Sequence, residues 1–327
     1  MSDTIAGEHT RARRSGPWKE RLALVLRIAA VRPRFALGYL IVAVVILGAL
    51  LAPLLAPYDP EYADPMRFLE PPGADFLFGT DAVGMDVFSR VLYAPRIDLT
   101  IAIAATLISA VTGSLMGAWV GYFSRGNSFR TAAAGFVMRA ADVLQAFPVF
   151  VFAIALVASL GQSLHTVIIA IAFVSIPIYL RLMRAQVISI RERKFIEAAE
   201  VAGISHGRII LAHIIPNALG PVLAQLSINI GWAILLAAGL SFVGAGVRPP
   251  SPEWGTMIAA GFQNVVTGQW WPSVFPGLAL ALTVFGFSLV GASIETFADP
   301  EKMRRLTRDV AERARRRENA RKGRGSR

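Results

Sequence analysis

Residues 192–217 read ERKFIEAAEVAGISHGRIILAHIIPN, a charged, amphipathic stretch set between two long apolar runs. Just before it, Ser189-Ile190-Arg191-Glu192 has the S-x-x-E spacing of a capping box, which predicts a helix starting near Ile190. Phe195, Ala198, Ala199 and Ala202 then recur at i, i+3, i+4 and i+7 and predict one packing face, mostly alanine. Glu192, Lys194 and Glu200 fall on other faces. Gly203 stands where a left-handed residue closes a helix. Ser205 is placed to start a second helix over Arg208–Ile215, and Pro216 to end it. The stretch at 189–217 therefore predicts a helix–turn–helix hairpin. The pattern leaves its partner open. A connector lying on lipid is one reading. DNA binding is another, opposed by the repulsion of phosphates from Glu192, Glu197 and Glu200.

The rest of the chain gives the hairpin its setting. Of 327 residues, 54% are hydrophobic and 17% charged, below the roughly 25% charged share of a soluble domain. The apolar residues are blocked into runs of the length, about 20 residues, that crosses a bilayer as a helix. Six spans are expected: Phe35–Leu55, Leu99–Phe123, Ala134–Leu160, Leu164–Leu182, Leu219–Val247 and Val274–Phe297. The runs are continuous rather than alternating, which excludes a membrane β-barrel. The expected fold class is an all-α polytopic membrane protein, with the first span retained rather than cleaved as a signal peptide.

The net charge of +11 is distributed unevenly. Lys and Arg fall as 8 before the first span, 3 around Arg125–Arg139, 6 over Arg181–Arg208 from the end of span four to span five, and 12 after span six. Only Arg67, Arg90, Arg96 and Arg248 lie in the other connections. This bias predicts a cytoplasmic hairpin and cytoplasmic termini. The basic tails at 1–34 and 298–327 then serve orientation and attraction to anionic lipid, not nucleic acid. The segment 35–96 holds the first span and an outside portion rich in Pro, Gly and Asp. Residues 97–297 form the remaining membrane core.

Within the spans, Gly113, Gly117 and Gly121 line one face of span two and predict close helix packing. Trp119 and Tyr122 at its end are expected as interface anchors, and so are Trp254, Trp270 and Trp271 at the other side. Arg139 and Asp142, three apart, are a candidate intramembrane ion pair or an interfacial one. Pro148 is expected to kink span three or mark its entry into the membrane. Gln225, Ser227 and Asn229 in span five are candidates for a polar path or for interhelical hydrogen bonds.

No catalytic or metal constellation is legible. The chain has no cysteine, no G-x-x-x-x-G-K-[ST] phosphate loop and no G-x-S-x-G elbow. His206 and His213 lack a nearby carboxylate to complete a metal site. The chain is therefore expected to bind no cofactor and to catalyse no reaction.

The hairpin resembles the EAA motif of ABC-transporter permeases: Glu197-Ala198-Ala199, then Gly203, then His213-Ile214-Ile215-Pro216. The HIIPN ending is close to the HILPN of the dipeptide/oligopeptide/nickel permeases. Further stretches resemble the C-type subunit of that family in order: FGTDAVGMDVFSRVLYAPR, GYFSRG, MRAADVLQAFP, LRLMRAQVISIRERKFIEAA, LSFVGAGVRPPSPEWGTM and FPGLALALTVFGFSLVG. Met85, Pro95 and the span-six ending GASIETFADP depart from the usual pattern. The resemblance implies a type I ABC importer permease fold in a bacterial or archaeal plasma (inner) membrane. It implies that the hairpin docks on a separate ATPase subunit, with Glu197 as a polar contact. Ala198, Ala199 and Gly203 would set close packing, and Pro216 and Asn217 the junction to span five. The implied partners are a homologous B-type permease, two ABC ATPase subunits that hold ATP and Mg, and an extracytoplasmic solute-binding protein. The implied cargo is a di- or oligopeptide, with nickel chelates, glutathione or sugars as alternatives. An ion-driven secondary transporter is the rival of another class, with Asp142 alone as a candidate carboxylate.

Overall fold

The computed structural model describes residues 33–125 and 128–298, together with 303, 304 and 308. Most of the two basic tails lies outside the described residues. Among the described residues there is no β-strand, only an isolated bridge between Thr80 and Asp86. In chain order the helices are α1 (Pro33–Leu55), α2 (Val87–Tyr93), α3 (Pro95–Tyr122), α4 (Phe129–Ala146), α5 (Val149–Leu160), α6 (Leu164–Arg191) and α7 (Lys194–Val201). They are followed by α8 (His206–Phe242), α9 (Trp254–Val265) and α10 (Trp271–Ala298). Five elements are long and apolar enough to cross a membrane: α1, α2 with α3, α6, α8 and α10.

The third expected span, Ala134–Leu160, is not one rod. Helices α4 and α5 meet at 94°. Phe147 at the break is extended (φ −79°, ψ 139°), because the Pro148 ring crowds a preceding residue out of helical geometry.

Helices α3 and α6 pack most intimately, and the glycines explain why. A Cβ on Gly113 would come within 2.6 Å of the Ile176 carbonyl oxygen, and one on Gly121 within 2.8 Å of Val187 Cβ. Gly117 meets the Leu180 backbone in the same way. Without a hydrophobic drive between helices in lipid, such close approach supplies the association through dispersion contacts.

The buried side chains form two clusters. One, around Ile171, Ile234, Leu240, Trp254 and Trp271, fills the end of the bundle away from the hairpin. The other, around Tyr122, Tyr179, Met183, Ile196, Ile209 and Ile214, joins the near ends of α3 and α6 to the hairpin.

The expected aromatic anchors need correction. Trp254 and Trp271 are buried, with Nε1 donating to the carbonyls of Val91 (3.3 Å) and Thr80 (3.0 Å); only Trp270 is exposed. The indoles act as pegs that seat the far-side connections on the bundle. Arg90 reinforces the same cap, donating from Nη1 to the carbonyls of Pro60 (2.8 Å) and Pro250 (3.1 Å).

Candidate functional site

The hairpin between α6 and α8 is the candidate site. Its start differs from expectation. Helix α6 runs unbroken through Ser189 to Arg191, so the amides a capping box would satisfy are already bonded within the helix. The turn falls at Glu192 and Arg193, and α7 begins at Lys194 behind an extended Arg193 (φ −81°, ψ 139°).

The face that α7 buries also differs. Ile196 and Ala199 pack inward, while Phe195 and Ala198 are exposed and Ala202 follows them outward. The larger Ile196 enters the buried cluster that also holds Met183 and Ile209. The outward face carries Glu197, Ala198 and Val201, the last 85% exposed. Glu197 lies in the first turn, where the helix dipole favours a carboxylate.

The exit from α7 is a Schellman turn. Gly203 has φ +73°, its amide donates to Glu200 O (3.0 Å), and the Ile204 amide donates to Ala199 O (3.1 Å). Ser205 precedes the next helix but makes no side-chain cap bond.

Pro216 does not end the second helix. Residues Ile209–Ile214 widen into a π-helical turn, in which the Ile215 amide reaches back to Ile210 O. The chain then runs on through Pro216 to Phe242 as one helix. The proline sits at the start of the regular portion, where its missing N–H is tolerated. Asn217 Nδ2 donates to the His213 carbonyl (2.7 Å), and the His213 side chain is half-buried.

Tyr122, expected as an interface anchor, is buried and bonds to the hairpin. Its hydroxyl lies 2.8 Å from Glu200 Oε1 and 2.8 Å from His206 Nδ1. Its carbonyl accepts from Arg191 Nη1 at 2.6 Å, and that guanidinium stands 5.1 Å over its ring. Arg125 adds an exposed bond to Glu192 (2.7 Å). The sequence does not reveal the contact of Tyr122 with the hairpin because aromatic anchors and buried tyrosines look alike at a span end. The one usable signal was the pairing of a span-end tyrosine with a titratable Glu200 and His206 flanking the turn.

The other candidates do not join this site. Asp142 pairs with Arg181 of α6 at 2.6 Å, not with Arg139, which is exposed. Sharing a face within one helix loses here to a neighbouring helix that brings its own guanidinium. Asn229 faces Tyr179 of α6, while Ser227 lies against Gly291 of α10; both are buried and Gln225 is half-buried. The trio is divided between two helix contacts. Neither Asn229 Nδ2 nor Tyr179 Oη reaches a hydrogen bond. Among the described residues no group of His, Asp and Glu is gathered as a metal site. The hairpin is buttressed by α3 and α6 on one face and leaves the other outward.

Comparison with known proteins gives this hairpin a context. Residues 109–304 match the family of binding-protein-dependent transport system inner membrane components. Residues 24–72 match the N-terminal transmembrane domain of oligopeptide transport permease C. The chain is 38% identical to a dipeptide transport system permease protein of Alkalihalophilus pseudofirmus, covering 87% of this chain and 90% of that protein. It is 40% identical to a probable D,D-dipeptide transport system permease protein of Escherichia coli, over 80% of this chain and 85% of that one. A glutathione transport system permease protein of Pectobacterium atrosepticum is 36% identical, over 87% and 91%.

Proposed function

The chain belongs to the family of binding-protein-dependent transport system inner membrane components, and from that premise we propose that it is the C-type permease subunit of an ATP-driven peptide importer. It is a multi-pass inner-membrane transport subunit. The cargo in this proposal is a di- or oligopeptide, supported by the peptide permeases it resembles. The glutathione permeases support a second cargo, itself a tripeptide.

In this reading the chain supplies half of the path and a homologous B-type permease the other half. Two ATPase subunits hold ATP and Mg and perform the hydrolysis, and a solute-binding protein delivers cargo from outside. Both termini and the hairpin face the cytoplasm in this reading, which the basic bias supports. ATP-driven closure of the ATPases displaces the outward face of α7. The hairpin passes the displacement to the spans, which alternate between inward and outward access.

The observation that carries the proposal is the outward face Glu197, Ala198 and Val201 on a helix whose opposite face, Ile196 and Ala199, is buried in the cluster that also holds Met183 and Ile209. A helix so mounted transmits a push without yielding.

The native chain has no cysteine, so one introduced thiol is a unique handle. Val201→Cys should cross-link to an ATPase subunit in the assembled complex, and a cysteine at the inward position Ile196 should not. A Val201→Cys protein that cross-links to no ATPase subunit in an assembly shown to be intact would contradict the docking assignment.

A further inference from the structure

We propose that Tyr122 is the positioning residue through which the hairpin drives span two. The inference rests on the reading of the hairpin as the ATPase-docking lever. The hairpin is covalently continuous with α6 and α8 only, so any force it exerts on α3 must cross a non-covalent contact. Tyr122 stands in the last turn of α3 and touches three parts of the lever at once: Arg191 at the end of α6, Glu200 on α7 and His206 at the start of α8.

The proton count fixes the polarity of the contact. A phenol has one hydrogen, and a carboxylate can only accept. The Tyr122 hydroxyl therefore donates to Glu200 and accepts from His206, which must carry its proton on Nδ1. The bond to Glu200 is charge-assisted and correspondingly strong.

Two further features give this route its stiffness relative to the covalent ones. The Gly113, Gly117 and Gly121 seam leaves no slack between α3 and α6, so a displacement at Tyr122 moves both helices together. In contrast, the path from His206 into span five passes through the π turn at Ile209–Ile214, where the regular i→i−4 ladder is interrupted in a way that recurs at functional sites. The tyrosine contact is thus the firm link and the peptide chain into span five the compliant one.

The test uses the complete transporter in liposomes, with ATP hydrolysis and uptake of a labelled dipeptide measured on the same sample. Tyr122→Phe keeps the ring and its packing and removes only the hydroxyl. It should assemble, keep hydrolysing ATP, and take up about tenfold less dipeptide per ATP, the fold-change expected for losing a hydrogen bond to a charged group. Glu200→Ala should do the same, and the pair Tyr122→Phe/Glu200→Ala no worse than either alone. His206→Asn, which offers an N–H near the Nδ1 position, should restore coupling that His206→Ala loses. Wild-type uptake per ATP in Tyr122→Phe, additive losses in the double variant, or failure of Tyr122→Phe to assemble would each overturn the inference. Wild-type uptake that does not depend on ATP would instead overturn the importer reading on which it stands.

Discussion

Gly117 of α3 lies against Leu180 of α6 with no room for a side chain between them: an added Cβ would strike the Leu180 carbonyl oxygen. Gly117→Ala should therefore destabilise the protein by about 1–3 kcal/mol, the usual cost of overpacking. Gly135, inside α4, has nothing within 4 Å of an added Cβ. Gly135→Ala should stabilise by up to ~1 kcal/mol through helix propensity. Thermal unfolding of both variants in detergent reads the opposite signs.

Gly203 poses the reverse situation. An added Cβ meets no atom within 4 Å, but its φ of +73° is left-handed. Gly203→Ala should cost about 1–2 kcal/mol of backbone strain alone, and Gly203→Asn less. The loss should be local, read as faster amide exchange across α7 with the spans unchanged.

Glu253 gives the protein a pH dependence. Its carboxyl is fully buried beside Asp98, and burial raises its affinity for a proton above the ordinary value near 4.5. The Ser241 side chain and the amides of Gly255 and Thr256 oppose that rise. The folded state then holds more protons than the unfolded chain. The contribution of Glu253 to stability is fully present below about 4.5 and is lost as pH rises from there through the raised value. Glu253→Gln should flatten this part of the dependence, measured as melting temperature against pH.

The long-range order of this protein is legible because lipid imposes it. Span lengths, charge bias and the glycine face of span two are written in composition, and α1, α3, α6, α8 and α10 lie where the apolar runs do. The detail was less legible wherever a local signal met a tertiary one. Ser189 and Glu192 carry a capping-box spacing, yet α6 had already bonded those amides. Pro216 reads as a stop, but the π turn before it lets the helix continue. Arg139 and Asp142 share a face of α4, and a second helix supplied the partner. Gly203 followed the local rule because no competing contact surrounds it. The role of Tyr122 depends on residues 78 and 84 positions away, beyond any periodicity in the sequence.

In the proposed mechanism this chain moves peptide by transmitting ATP hydrolysis on separate subunits through α7. The most direct measurement is uptake of a labelled dipeptide by liposomes holding this chain, its partner permease, two ATPase subunits and the solute-binding protein, with and without ATP. Uptake that requires ATP and the ATPase subunits, is indifferent to a proton gradient, and is lost in Glu197→Arg with membrane insertion intact is the predicted result. Uptake that follows an ion gradient and persists without the ATPase subunits would contradict the account.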